Sequence, residues 1–311
     1  MTTRQSWAGL SCVLALALSA TAAGAAPVAA PALAPPLPAR PARIVALGLP
    51  ADELALALVP STRIAALDRF ADDPEASNVV DEARTVRARV PVSAEAIAAQ
   101  SPDLVLVPAW ASPDLEAMLH RFDIATLRVP TPRSLDALRE AIRIVAAALD
   151  ARAQGETLVA ELDRSLEETR RSVAGLPRPT ALLDAGSGYS PGGGTLLSDL
   201  VEAAGGHLLL ATRGEQGLVP LSIERELSLD PDVLLVDRYR ADAHARVLGE
   251  PERALDPRLA HLRAAREGRV RVLPARLLLS TTHHVAHTAR ALAEALHASP
   301  SMPPRLVGDR P

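Results

Sequence analysis

Lysine is absent from this sequence, so all 33 basic residues are arginine, and against 37 acidic residues they leave a formal net charge of -4. Without a cationic excess there is no electrostatic reason to expect nucleic acid or an anionic membrane surface as a partner. Cysteine is almost as scarce. The one Cys, Cys12, sits inside an early apolar run, so no intramolecular disulfide is available and stability must come from an ordinary apolar core. The aromatic residues are Trp7, Phe70, Trp110, Phe122, Tyr189 and Tyr239. In a chain this poor in rings the position of each one carries information. Long apolar runs are missing as well: the early run at Leu10 to Leu18 is well short of the roughly 20 residues that span a bilayer, and nothing after the proline-rich stretch reaches that length without a charge.

Residues 1–25 read as an export signal. Arg4 is the basic start, Leu10 to Leu18 the apolar core, and Ala23-Gly24-Ala25 the small-x-small pattern for cleavage. Cys12 lies within the apolar core instead of after it, which makes it a poor lipid-attachment site. Residues 26–42 hold six prolines among alanines and leucines, the composition of an extended tether. Folding is expected to begin at residue 43 and to leave a short tail at 300–311.

Between those limits, short apolar runs alternate with helical periodicity. Arg43 to Leu47, Arg63 to Leu67, Asp103 to Val107 and Ile124 to Val129 read as buried strands, separated by helices at Ala51 to Leu58, Ala94 to Gln100 and Asp114 to Arg121. A second set follows, with strands at Thr180 to Asp184, Val233 to Asp237 and Val270 to Leu273. Its helices are expected at Thr195 to Ala204, Ile223 to Leu227 and His283 to His297. Alternation of this kind predicts α/β lobes with parallel sheets, one over 43–131 and one over 177–299. The connection at 132–176 is helical throughout, and its second part, Ala151 to Ala174, is amphipathic with Gly175 and Pro177 as stop signals. The predicted architecture is two Rossmann-like lobes joined by a single long interdomain helix. The ligand cleft then lies between the carboxyl ends of the two sheets, and one stiff connection predicts only a small closure.

Several pieces in a fixed order resemble the periplasmic binding proteins for vitamin B12, ferric siderophores and haem that serve ATP-driven importers. They are Arg43-Ile44-Val45-Ala46-Leu47 with Pro50-Ala51-Asp52-Glu53-Leu54, then Ser101-Pro102-Asp103-Leu104-Val105-Leu106 ahead of Trp110. Gly193-Gly194-Thr195 leading to Glu202-Ala203-Ala204-Gly205-Gly206 follows, and then Leu221-Ser222-Ile223-Glu224 leading to Asp230-Pro231-Asp232-Val233. The resemblance covers about residues 43–298. It implies a periplasmic, monomeric, non-enzymatic protein without a cofactor of its own. Such a protein hands a corrinoid or iron chelate to the permease of an ABC transporter. The Pro-containing pieces also have a purely local reading, as helix stops that launch the next strand.

The same resemblance implies ligand contacts at Phe70, Trp110 and Tyr189. Together with Tyr239, these aromatics follow predicted strands, where loops overhang the cleft and a ring can cover a flat macrocycle at little entropic cost. The competing reading of each is a plug at a lobe edge. Leu218 stands where the B12-binding pattern has a large aromatic, which leaves cobalamin, haem and ferric siderophore all open. Arg238 and Tyr239 suit an anionic siderophore or haem, because Arg pairs with carboxylates and a phenol oxygen ligates ferric iron. His283, His284 and His287 open the last predicted helix, with His283 and His287 on one face. No acid or Cys completes a metal set on that turn, so His283 and His284 are assigned to ligand contact and no protein-held metal is expected.

Three further features each have two readings. Gly192-Gly193-Gly194-Thr195 could present free amides to an anion, although a permissive loop is the simpler reading. Gly188-Tyr189-Ser190-Pro191-Gly192 matches a hydrolase nucleophile elbow, but Pro191 has no N–H for the oxyanion hole, which argues against catalysis by Ser190. Glu116 and Glu224 match the two surface glutamates that, by resemblance, dock on the permease; helix-dipole stabilisation is the alternative for both.

Overall fold

A computed structural model describes residues 34–186, 188–237 and 257–299. The expected export signal, the tail, and the site candidates Arg238 and Tyr239 lie outside the described residues.

The first lobe is a sheet of five parallel strands: β1 (Ile44–Ala46), β2 (Ile64–Asp68), β3 (Arg89–Val90), β4 (Leu104–Val107) and β5 (Ala125–Arg128), in spatial order β3-β2-β1-β4-β5. Helices α1 (Leu49–Leu58), α2 (Val80–Ala83), α3 (Ala94–Ala98) and α4 (Pro113–Arg121) connect them. β1 and β4 are buried along their whole length, which is why they read as unbroken apolar runs. Two helices, α5 (Leu135–Ala148) and α6 (Arg152–Ser172), then lead to the second lobe. Its elements are β6 (Thr180–Asp184), β7 (Tyr189–Pro191), α7 (Leu196–Ala203), β8 (His207–Leu208), α8 (Leu209–Thr212), β9 (Leu218–Pro220), α9 (Ile223–Leu229), β10 (Val233–Asp237), α10 (Arg263–Arg266), β11 (Val270–Leu273), α11 (Ala275–Leu278) and α12 (Val285–His297). Four of these strands form a parallel sheet in the order β11-β10-β6-β8, while β7 and β9 pair antiparallel as a separate ribbon.

Local chemistry fixes the helix starts. Ser93, Ser112, Ser134, Thr195 and Ser222 each accept a hydrogen bond from the amide three residues on, satisfying a donor the helix cannot use itself. The Pro-Asp pieces do more than stop helices. Asp103 accepts from the amides of Ala42 and Arg43 just ahead of β1, and Asp232 accepts from the amide of Thr180 at the start of β6. In both lobes an aspartate ahead of one central strand anchors the entry of its parallel neighbour.

Helix α6 is 21 residues, about 32 Å at 1.5 Å per residue, and ends two residues before the expected Ala174. It buries Val159, Leu162, Leu166 and Thr169 and packs on α5, α12, α7 and α1, touching both lobes. Gly155 makes the α5–α6 crossing possible, because a Cβ there would lie 2.5 Å from the Ala146 Cβ. One apolar cluster runs from Ile44, Leu104 and Leu106 through Leu138, Ile142, Leu162 and Leu166 to Leu183, Leu235 and Leu292, so the lobes share a core. Among the described residues no helix is long and apolar enough to cross a membrane.

A second tie joins the lobes. The Thr282 hydroxyl donates to Glu53 of α1; the Asn78 side chain donates to the Arg276 carbonyl (3.0 Å); and the Arg276 amide donates to the Glu75 carbonyl (3.1 Å). Glu53 is 3% exposed and Thr282 fully buried. Breaking a hydrogen bond to a buried carboxyl leaves it short of a donor, so Thr282→Val should lower unfolding free energy by about 1 to 3 kcal/mol. Urea denaturation checks this, and a loss within error of zero would mean that water replaces the hydroxyl.

Candidate functional site

Phe70 and Trp110 meet at one pocket of about 250 Å³, which is also lined by Glu53, Asn78, Arg276 and Leu279. Phe70 sits in the short turn that leaves β2, held because Asp68 accepts a hydrogen bond from its amide (2.9 Å). The other Asp68 oxygen accepts from the Gly48 amide (3.2 Å), and Gly48 lies under the Trp110 ring and Pro108. One buried aspartate thus braces the backbone beneath both aromatics. Trp110 is 70% exposed, Phe70 47% and Leu279 65%, an unusual exposure for large apolar groups gathered at one place. Arg69 stacks on Phe70 with its guanidinium carbon 4.7 Å from the ring centre.

The Trp110 loop is clamped by Arg128, which donates to the carbonyls of Ala109 (2.6 Å) and Ala111 (3.1 Å) and pairs with Glu116 at 2.7 Å. Glu116 is therefore an ion-pair partner on the first turn of α4, half-buried and not a free rim charge. Glu224 is exposed on the first turn of α9, as expected.

The remaining candidates differ from expectation in detail. Tyr189 belongs to strand β7 of the ribbon, not to a loop, and is half exposed; Leu218 projects from the facing strand, 72% exposed. Neither lines the Phe70–Trp110 pocket. The last helix starts at Val285, so His283 and His284 precede it, and the expected shared face of His283 and His287 is not formed. Instead the three imidazoles lie against one another in sequence, with centroids 4.1 Å apart for the tilted pair His283 and His284 and 5.8 Å for the stacked pair His284 and His287. Among the described residues no group of His, Cys, Asp and Glu converges as a metal site. Two amides of the glycine loop are already engaged. Gly192 and Gly193 donate their amides to the carbonyls of Gly217 and Glu215, and a Cβ on Gly192 would lie 2.4 Å from the Glu215 oxygen. Those glycines serve a close backbone approach. Ser190 lies inside a strand, is fully buried, and has no hydrogen-bond partner for its hydroxyl, so the strand-to-helix elbow of a hydrolase is not built.

Sequence reasoning misses Arg276 and Leu279. Both belong to the segment after β11, where neither periodicity nor any motif marks them. A larger concavity, about 720 Å³ where α5, α6 and α7 meet, holds Arg139, Arg178, Asp136 and Glu202. Its charges are paired, Arg139 with Asp136 and Arg178 with Glu202, and it has no aromatic wall.

Known proteins share this architecture. A periplasmic heme-binding protein, BhuT, solved with two hemes, is 25% identical, with a TM-score of 0.65 over 82% of this chain and 98% of that one. The heme-binding RhuT from Roseiflexus sp. RS-1 is 24% identical (TM-score 0.67, 83% and 99% covered). The vitamin B12-binding BtuF of Vibrio cholerae is 21% identical (TM-score 0.63, 83% and 98% covered). At such identities RhuT and BtuF establish the two-lobed fold alone. The family description for periplasmic binding proteins matches residues 44–277, and this chain belongs to that family. A cobalamin-binding protein of Halobacterium salinarum is 30% identical over 167 residues, half of this chain and 44% of that relative. The chain thus spans under half the length of the curated relative it matches.

The stacked histidines give a pH signature. Burial, then the neighbouring imidazoles, pushes His283 down to about 3 and His284 to about 4. Between the ordinary histidine pKa of about 6.5 and those values the unfolded chain binds more protons than the folded one, so stability falls as pH drops through that window. At pH 5 each imidazole should cost about 2 kcal/mol relative to pH 7. Denaturation at both pH values checks this: His283→Gln with His284→Gln should flatten the difference, and an unchanged slope would refute it. The variant comparison cancels Asp52 and Glu53, whose burial raises their pKa and acts in the opposite sense.

Proposed function

We propose that the protein is the periplasmic solute-binding component of an ABC importer, that it takes a corrinoid or iron chelate one to one in the cleft, and that it delivers the ligand to the permease as a monomer without catalysis. The observation that carries this reading is the pair Phe70 and Trp110. They stand exposed on two loops after parallel strands, facing a pocket completed by Leu279 from beyond the second sheet. Burying such rings against a flat macrocycle returns apolar area to contact. Family membership and a relative named as cobalamin-binding support the ligand class; the haem-bound neighbour keeps haem beside cobalamin. Tyr189, His283, His284, Arg238 and Tyr239 are assigned to further ligand contact. The amino-terminal apolar segment is read as the export signal.

Removing the most exposed anchor tests the site. Trp110→Ala should weaken binding by about 1 to 3 kcal/mol without loss of fold, since so exposed a ring contributes little to the core. Calorimetry with cyanocobalamin, haemin and ferric siderophores decides it, and no heat with any of them would end the proposal.

Glu116 and Glu224 are the proposed permease contacts, and glutamine substitution separates docking from folding. The Glu116→Gln change keeps an acceptor oxygen for Arg128, so the Trp110 loop should stay in place. Glu224→Gln should bind ligand within about twofold of wild type yet slow uptake into vesicles carrying the transporter, because rim charges act on encounter and orientation, and Glu116→Gln should add a smaller effect because that carboxylate is already paired with Arg128. Wild-type uptake at limiting protein would show them to be helix-end charges only.

A further inference from the structure

Trp110 is held by its backbone more than by its ring. With 70% of its surface exposed, the indole has little packing to fix it. The loop that carries it runs from the end of β4 at Val107 to the cap residue Ser112 and closes through the Ala111 amide, which donates to the Pro108 carbonyl (3.0 Å). The other constraint comes from Arg128, the last residue of the edge strand β5, which stands beside Val107 in the sheet. Its Nη1 donates to the carbonyls of Ala109 (2.6 Å) and Ala111 (3.1 Å), one on either side of Trp110, and lies 3.4 Å from that of Pro108. Without those donors the loop backbone is released, and its ordering has to be supplied when a ligand binds.

The second terminal nitrogen of the same guanidinium, Nη2, lies 2.7 Å from Glu116 Oε1. That oxygen is buried, yet it accepts no aligned hydrogen bond from any described residue. Charge therefore holds the pair, without the directed bonds that make an arginine–carboxylate contact strong. Such a pair yields to a competing positive charge. A cation at Glu116 takes the carboxylate and repels the guanidinium, and because one rigid plane carries both nitrogens, Nη1 is drawn off Ala109 and Ala111 as well.

We propose that Arg128 positions Trp110 for the ligand and links it to Glu116, so that positive charge arriving at Glu116 loosens the Trp110 loop and weakens ligand binding. This rests on the reading of Trp110 as a ligand anchor and adds a regulation of that site from outside it. Linkage is reciprocal, so a ligand that orders the loop strengthens the hold of Arg128 on Glu116 and leaves that carboxylate less free for a second cation. A neutral acceptor at position 116 keeps the guanidinium in place, whereas a cation there displaces it.

The test uses the full chain, with Trp110 emission isolated by subtracting that of Trp110→Phe protein. Without ligand, the fast component of the anisotropy decay should grow in Arg128→Met and in Glu116→Lys and keep its wild-type amplitude in Glu116→Gln. Haemin and cyanocobalamin are then titrated by absorption. Arg128→Met and Glu116→Lys should each bind the tighter probe about tenfold more weakly than wild type, the size of about one residue's backbone ordering. In a Trp110→Ala background the same substitutions should change affinity by less than about twofold, since a residue that acts through Trp110 has nothing left to position. Equal losses with and without Trp110, or wild-type anisotropy in Arg128→Met, would overturn the positioning role. Wild-type anisotropy in Glu116→Lys would overturn the link to Glu116. If wild type binds neither probe, the ligand-class reading fails, and the anisotropy comparison, which needs no ligand, still decides whether Arg128 positions Trp110. A folding defect in Arg128→Met cannot blunt the test, because Glu116→Lys alters neither the Arg128 side chain nor a loop carbonyl.

Discussion

Glu53 is a carboxyl group buried in α1 whose hydrogen bond to Thr282 spans most of the sequence, and the spacing of the two lobes depends on it. The chain crosses between the lobes through α5 and α6, and a single helical connection could pivot. The bonds from Glu53, Asn78 and Glu75 to the segment at 276–282 add an independent tie, and the apolar core continues through α6 into both sheets. Two ties and a shared core leave little freedom for large closure. The spacing of the lobes is then largely set before any solute arrives, which lowers the ordering cost of binding.

Buried carboxyls also brace the aromatic wall. Asp68 is nearly inaccessible to water, yet each of its oxygens accepts a backbone amide, one from the Gly48 turn under Trp110 and one from Phe70. Its own amide donates to Asp52, whose remaining oxygen is buried without a hydrogen-bond partner and whose pKa burial raises well above normal. A pair of buried aspartates is an expensive way to shape a turn, since the desolvation of a carboxyl must be offset by those hydrogen bonds. What it secures is two loops whose rings stand in solvent at fixed positions. Large rings left this exposed contribute little to the core, so their value lies in a partner that covers them.

Much of the framework is legible in the sequence because parallel strands buried on both faces read as plain apolar runs. Thr180 to Asp184, Val233 to Asp237 and Val270 to Leu273 coincide with β6, β10 and β11 residue for residue. The two-residue strands β3 and β8 carry no period, and the ribbon of β7 and β9 is only three residues wide with a proline in each strand, so both escape pattern reading and Tyr189 reads as part of a loop. The start of the last helix is misplaced for a specific reason. Ser280-Thr281-Thr282 looks like a cap, but the Thr282 hydroxyl is committed to Glu53, and the helix begins only at Val285. The place of Arg276 is illegible in principle, because it is set by backbone bonds to Glu75 and Asn78 in the other lobe, which a local pattern does not record.

The missing lysine also acquires a structural sense. Arg43 donates to the carbonyls of Gln100 and Ser101, and Arg63 to those of Pro41 and Leu149. Arg89 reaches the carbonyls of Ala83, Val86 and Ala88 while pairing with Asp72, and Arg128 holds the Trp110 loop through Ala109 and Ala111. Each guanidinium stitches several carbonyls at once, which a planar fork with five donors can do and a compact ammonium cannot. Loops without regular structure are thereby fixed by side chains where no strand ladder is available to fix them. Against that habit Arg276 stands out physically as well as chemically. It has the same fork and a backbone pinned to Glu75 and Asn78, yet among the described residues no carbonyl engages its donors at the place where the exposed rings converge.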